Sequence, residues 1–596
     1  MKRNPTNGPA GTLLLSILAL GCNVTPDVDS GESSSGTAEL SDGSGEPSGE
    51  NSGTSGGFGT SGDSATTDLS EGSGGTEDSG DTEDSSGTGD TGEPETNEGV
   101  WYRTCDIEDL SGQPRFSTDV VVPEDLASQD VFDFTQFQAA VQDPTIAVIH
   151  VRGDAFSSSQ RLEITESEST RATRYIVGEE GGFSPSLMFD RASNWTVTNL
   201  QFKADPSPSI PPSNSQPSSR SSISIVDGEN LMLDGISRTW EGTSESFLVI
   251  GNRRSGSVRN VTFQRSRLEW TGGVSEFMGV IYRSWLSDMD ESDFFANGGN
   301  TGWNADSEDI FIQDNVMLGM GDGVQIQSEA FTSANANRHY ERNDHRNFTV
   351  RGNLFTSGAD RTAENAIDFK ASSQTPDMPA RIYSNVVYGY SPVDGNGTSA
   401  SGSAIIAHMR NQHVEIFENL IIDSAVGVSL KAFEGEHSAR DNVFIDVDTI
   451  LNMDAYTNGQ DATELMTSIP SATLERNVII GETTRIADVG IGSSNRIDGL
   501  LTFNNNFVES VTEFGFPDSG SSVVDGSFTQ AFSGEGNIFH GSVPPDAPES
   551  ISASWLDTAE TLTTRVGPCP DGPTYDFRVP SRATLPAGLE DFFWAL

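Results

Sequence analysis

The chain has 596 residues, 34% of them hydrophobic, with 62 glycines and a formal net charge of -54 from 88 acidic and 34 basic residues. A chain this acidic lacks the basic footprint that nucleic acid requires, which excludes nucleic acid as a partner. Once the non-globular N-terminal part is set aside, roughly 500 residues remain, too many for one ordinary core, whereas a repeat architecture extends its core along an axis.

In chain order, residues 1–22 read as a targeting segment. Lys2 and Arg3 form a basic start, Gly11 to Leu20 an apolar run, and Ala19-Leu20-Gly21-Cys22 resembles a bacterial lipobox. That resemblance implies lipidation of Cys22 and an outer-membrane or cell-surface location held by the lipid; the other reading is ordinary secretion. Residues 23–98 are dominated by Gly, Ser, Thr, Asp and Glu, with Phe58 as their only aromatic and no Lys or Arg. Low hydrophobicity with one sign of charge cannot offset chain entropy, so a disordered acidic stalk is expected. Cys105 and Cys569 are the remaining cysteines, near the two ends of the expected folded part at 99–596. In an oxidising compartment they can pair; two free thiols are the other reading.

Folded sequence begins near Val100. Asp133 to Val141 has helical spacing and Ile146 to Val151 reads as a strand, which predicts a helix capping the first coil. A phrase of alternating residues closed by Asn or a small polar residue then recurs. It appears at Trp195–Leu200, Val261–Ser266, Ile310–Asn315, Phe348–Asn353, Arg381–Asn385, Val414–Asn419 and Leu474–Asn477. From Asn315 onward the asparagines recur within the ~20 to 50 residues of a repeat unit. Asparagine tolerates a left-handed backbone at such a corner and can bond neighbouring backbone, which aligns stacked turns.

A second phrase recurs as Gly323–Gln327, Ala366–Lys370, Ala404–His408 and Gly427–Lys431. Alternation turns Val324, Ile367, Ile405 and Val428 inward and Gln327, Lys370, His408 and Lys431 outward, with Arg283 one coil earlier. The neighbouring outward column reads Ile281, Gln325, Asp368, Ile406, Ser429. Lysine occurs only at Lys2, Lys203, Lys370 and Lys431, so the scarcest charged residue concentrates on one ridge. Two polar inserts, at about 285–306 and 329–346, interrupt the repeat. The first carries Trp285, Phe294, Phe295 and Trp303, aromatics suited to stacking on sugar rings, among Asp288, Asp290, Glu291 and Asp293. These acids either form a calcium loop or a plain solvated one; the glycine of an EF-hand is absent, with Asp293 in its place.

From the repeated phrases between Leu187 and Phe507, the chain resembles the right-handed parallel β-helix, pectate-lyase-like superfamily. The resemblance implies an all-β, single-stranded solenoid. It also implies polysaccharide lyase action on an acidic, uronic-acid polymer by β-elimination, with the basic ridge facing the polyanion. Such a reaction needs a base, a positive partner for the carboxylate, and room for the leaving oxygen; a Lys crowded by cations can serve as the base. By resemblance Lys370 is the candidate base and Arg410 the charge neutraliser. Asp322, Glu364 and Asp368 are candidate calcium ligands, although no run of adjacent aspartates precedes the lysine. Arg283, Gln327, His408, Lys431, Trp285 and Trp303 are the candidate substrate contacts. A monomer is expected. The competing reading is a non-catalytic glycan-binding or adhesion module, with Lys370 and Asp368 a surface ion pair of little worth and His408 a packing residue.

Overall fold

The computed structural model describes residues 101–104, 115–153, most of 156–556, and 575–578. The leader with Cys22, the stalk, Cys105 and Cys569 lie outside the described residues.

The fold is a parallel β-helix. Three walls of strands run along it, and within each wall a strand pairs in parallel with its equivalent in the next coil. The first wall runs from Ser128–Val131 and Val148–Val151 through Ser307–Gln313, His345–Arg351 and Ala380–Tyr383 to Phe532–His540. The second is built of short strands such as Val316–Leu318, Leu354–Thr356, Val386–Tyr388 and Leu420–Ile422. The third is twelve-stranded, from Arg161–Thr165 to Val511–Glu513, and contains Asp322–Gln327, Asn365–Lys370, Ser403–Met409 and Val426–Ala432 as consecutive members. Coils extend beyond the stretch that the sequence phrases cover, since Ile551–Leu556 still pairs in parallel with Phe532–His540.

The interior is a column of Val, Ile, Leu and Phe, each stacked on its equivalent one coil away. Val324, Ile367, Ile405 and Val428 are all fully buried, as alternation requires. A helix runs over Phe134–Gln142, where the helical spacing lies, starting at Asp133, whose carboxylate accepts from the Gln136 N–H. It packs Phe137, Ala140 and Val141 into the core beside Phe156 and Phe183. Arg174 closes its far end, donating to the carbonyls of Ala140, Val141 and Asp143 while its guanidinium lies 4.3 Å from the Trp195 ring centre.

The corner between first and second walls is nearly constant, and a ladder of buried amides builds it. Asn315, Asn353, Asn385, Asn419, Asn442, Asn477, Asn506 and Asn537 are each at most 1% exposed. Every Oδ1 from Asn353 to Asn537 accepts both the backbone N–H and the side-chain amide of the asparagine one coil earlier. The left-handed backbone expected of these residues belongs instead to the residue before each of them: Asp314, Gly352, Ser384, Glu418, Asp441, Arg476, Asn505 and Gly536. The reason is division of labour. The preceding residue makes the turn, so the asparagine side chain can point inward and satisfy corner backbone that water cannot reach.

The other two corners are variable. The connections that lie outside the described residues between 204 and 500 each adjoin an end of a third-wall strand. Both inserts, the one after Met278–Ser284 and the one after Asp322–Gln327, leave from this wall. Length variation therefore concentrates around the third wall, where a solenoid presents its binding loops.

A strap crosses the outside of the first wall. The N–H groups of Arg115, Phe116 and Ser117 and the Ser117 hydroxyl all donate to the Asp314 carboxylate. Phe116 packs edge-on against Tyr383, with Arg351 over its ring at 4.8 Å. Further along, Gln264 donates to the Thr118 carbonyl and Arg265 pairs with Asp119. The segment thus runs against the direction in which coils are added. It needs a glycine beneath it, because a Cβ on Gly352, at φ +65°, would meet Asp314 Oδ1 at 2.4 Å and the Phe116 ring at 2.8 Å. Gly352→Val is expected to lift the strap at a cost of about 1–3 kcal/mol; faster tryptic cleavage after Arg115 reads this out, and unchanged cleavage would show that the strap is not held there. Trp101–Thr104 pairs with Tyr575–Arg578 as an antiparallel ribbon.

Candidate functional site

The outward face of the third wall is the candidate site. Backbone register fixes its columns. Ile281, Gln325, Asp368, Ile406 and Ser429 are paired rung to rung, and the column continues to Asn452 and Asp488. The parallel column pairs Arg283 with Gln327, and Lys370 with His408 and then Lys431. Both columns have the order that the sequence phrases predict. The side chains of Arg283, Gln327, Lys370, His408 and Lys431 lie outside the described residues, as do Trp285, Trp303, Arg410 and the acids at 288–293; for the first five, register is the finding.

From Gln325 to Ser429 the first column is buried. Asp368 is fully buried, Gln325 1% exposed and Asp322 2% exposed, so Asp368 does not stand on a solvated face. Gln325 Nε2 donates to Asp322 Oδ2 at 2.8 Å and to Asp368 Oδ2 at 3.2 Å. Two candidate metal ligands are thereby brought together on one amide. Glu364, the third, is half-buried at the bend before Asn365–Lys370 and is not bonded to Gln325.

Simple alternation would put Asp322 on the same side as Val324. Two inward residues in succession prevent this. Ala366 and Ala404 are buried in the core directly before the inward Ile367 and Ile405, and a Cβ on Gly323, their equivalent, would meet the Phe355 ring at 2.3 Å. Doubling the inward position shifts the phase by one, so residues three apart share the outer side. The doubled position backs on the second wall, and in these consecutive coils it is held by Gly323, Ala366, Ala404 and Gly427. That signal was present in the sequence as the Gly or Ala that opens each phrase.

Further buried polar groups belong to the same surroundings. Tyr390, fully buried, donates to the Met320 carbonyl at 3.2 Å. Burial first, and the Asp322 carboxylate second, raise its hydroxyl well above the ordinary phenol range, keeping it protonated. Among the described residues, the Ser429 hydroxyl, at 1% exposure, and the Gln325 side-chain oxygen have no hydrogen-bond partner. Neither Gln325 nor Ser429 was singled out by residue type; their importance comes from burial, which a strand pattern does not reveal.

Among the described residues no three His, Cys, Asp or Glu side chains form a metal-binding group. The Asp322, Gln325 and Asp368 set is instead a mixture of two carboxylates and an amide, an all-oxygen chemistry that suits calcium when the amide presents its oxygen.

No protein-family model matches the chain, and no curated protein matches it either. Among solved structures it is similar to a mannuronic acid specific polysaccharide family 6 lyase from human gut microbiota, at 11% identity over 72% of this chain and 91% of that one, with a TM-score of 0.36. A GH87 alpha-1,3-glucanase from Streptomyces thermodiastaticus follows at 12% identity, covering 73% of this chain and 71% of that one, TM-score 0.34. A pectate lyase from Paenibacillus sp. 0602 has 10% identity over 62% of this chain and 79% of that one, TM-score 0.27. Likenesses this distant carry no weight for chemistry; the fold rests on the strand pairing described above.

Proposed function

We propose that the third wall is the catalytic face of a polysaccharide lyase that cleaves a uronic-acid polymer by β-elimination. The observation that supports this most is the register: Lys370, His408 and Lys431 occupy consecutive rungs of one ladder, beside the buried Asp368, in a chain with four lysines altogether. Adjacent rungs are ~4.8 Å apart, so three basic residues line a path along which a polymer of negative rings can lie.

In this reading Lys370 removes the proton at C5 of the uronate ring. The electron pair left behind forms the C4–C5 double bond as the bond from C4 to the glycosidic oxygen breaks, and the departing oxygen takes up a proton. Arg410 offsets the charge that builds on the ring carboxylate during this step. His408, Lys431, Arg283 and Gln327 hold carboxylates and hydroxyls along the ladder, and Trp285 and Trp303 supply stacking surfaces. Asp322 and Asp368 are the residues of this chain that would hold calcium, with Glu364 the further candidate; when bound, the ion supplies positive charge beside the substrate carboxylate.

The test is direct. Protein incubated with pectate, alginate and glycosaminoglycans, with and without calcium, is expected to generate the ultraviolet absorbance of an unsaturated uronate on at least one of them. Retention of a polyuronate without any such absorbance would replace the lyase by a binding module on the same face.

A further inference from the structure

The second wall is apolar on its outer side. In its three-residue strands the middle side chain faces the core, as Phe355, Val387, Ile421 and Phe444 do, and alternation turns the residues on either side of it outward. Those flanking positions stack from coil to coil. One column runs through Leu354, Val386, Leu420, Val443, Val478 and Phe507, and the other holds Ile422, Ile445 and Ile480 on consecutive rungs. Side chains on an uncovered sheet face keep part of their surface in water, yet Leu354, Ile422, Val478 and Phe507 are fully buried. They form a cluster separate from the core, and the half-buried hydrophobic residues packed against it, Val316, Leu318, Tyr388 and Ile538, stand on the same wall. Among the described residues, then, no hydrophobic side chain from another element lies on this face, although a continuous apolar surface of this kind calls for a partner.

We infer that residues 585–596 of the same chain dock on the outer face of the second wall and cover it. Their starting point is favourable. Leu556 pairs with His540 on the last described rung of this wall, so the sequence beyond it sets out from the end of the face. Their chemistry matches as well: Leu585, Leu589, Phe592, Phe593 and Leu596 recur at the spacing of one helix face, with Trp594 on the opposite side. A stripe of that width suits a strip two aliphatic columns wide. As a helix these twelve residues are ~18 Å long, against ~24 Å for the six rungs from Leu354 to Phe507. Other stretches outside the described residues fit less well. The connections from the second wall to the third alongside this face, 358–363 and 392–401, carry Val393 as their only large apolar residue. The insert at 285–306 is richer in aromatics, but it joins the third wall to the first, at the one corner that the second wall does not share. The inference concerns a different wall from the candidate site and does not depend on the lyase reading.

The full chain tests this with the photo-crosslinking residue p-benzoylphenylalanine in place of Phe592, which keeps an aromatic side chain in the stripe. Irradiation is expected to join it to peptides of the second wall between Leu354 and Phe507 in the same chain. Crosslinks only to the other walls would overturn the inference, and so would crosslinks joining two chains, which would give the face to a second copy. A thiol introduced by Ile422→Cys reports on the same contact, with its alkylation followed by mass spectrometry on that peptide so that Cys22, Cys105 and Cys569 do not interfere. Phe592→Asp combined with Leu596→Asp is expected to speed alkylation at least ~10-fold, because a carboxylate in the stripe opposes burial and opens the cover. Trp594→Asp, on the opposite side, should leave it slow. Alkylation as slow in the double Asp variant as in the parent would overturn the inference. If that variant does not fold, the crosslink from position 592 still decides.

Discussion

Lys370→Ala is expected to lower the rate of unsaturated product formation by about 10²- to 10⁴-fold, the range for losing a positioned general base. Because Lys370 is at the outward end of Asn365–Lys370, and the inward Ile367 and Phe369 carry the packing of that strand, the thermal midpoint should stay close to wild type. On the proposed reading the effect should fall on kcat much more than on KM, since His408 and Lys431 remain on the next two rungs. Lys370→Arg preserves the charge while replacing the amine by a guanidinium, a much weaker base catalyst, so it should bind polymer and remain slow. Full activity in Lys370→Ala would remove Lys370 from the chemistry whatever the substrate proves to be.

A different class of effect is expected from Asn419→Ala, which should destabilise the folded chain by about 3–5 kcal/mol. Asn419 is fully buried. Its Oδ1 accepts from the Asn385 N–H and the Asn385 amide, and its Nδ2 donates to the Ile382 carbonyl and to Asn442 Oδ1. Alanine would leave donors of Asn385 and the carbonyl of Ile382 buried and unsatisfied, at about 1–3 kcal/mol for each group, with partial relaxation of the corner. The quantity to measure is the urea midpoint at constant slope. A change below about 1 kcal/mol would show that the ladder is redundant with the backbone pairing on either side of it. No comparable loss is expected from Glu418 next to it, which makes the turn and is exposed.

The fold was legible because a solenoid repeats its physics. Each coil must bury one stripe and close one corner, so Val324, Ile367, Ile405 and Val428 and the asparagines from Asn315 to Asn477 announce both. The corner at Asn442 was harder to see as a phrase because its strand, Glu436–Arg440, puts His437 where neighbours have Val414 and Ala472. Asn506 and Asn537 are hidden differently: Asn505 and Gly536 before them take the left-handed turn, and two candidate corner residues stand side by side. The site was legible as a register and not as an environment. Alternation gives the order of Gln325, Asp368, Ile406 and Ser429, but says nothing about what covers them, and so Asp368 reads as solvated although it is buried. The doubled inward step at Gly323 moved Asp322 to the outer side, which no strict period of two can express. The strap was invisible for another reason. Its partners Arg115 and Asp314 are 199 residues apart, and nothing local to either of them predicts the other.

That strap decides where a pull on the N-terminal side of the chain is felt. Tension applied between the ribbon strand Trp101–Thr104 and Arg115 arrives at Asp314, the corner after the strand Ser307–Gln313 well inside the stack, before it reaches the strand Ser128–Val131 that begins the first wall. The bonds there lie side by side on one carboxylate and are backed by Phe116 wedged beside Arg351 and Tyr383, so they resist as a group. The end coil, the easiest to unwind in any linear stack, is spared the load.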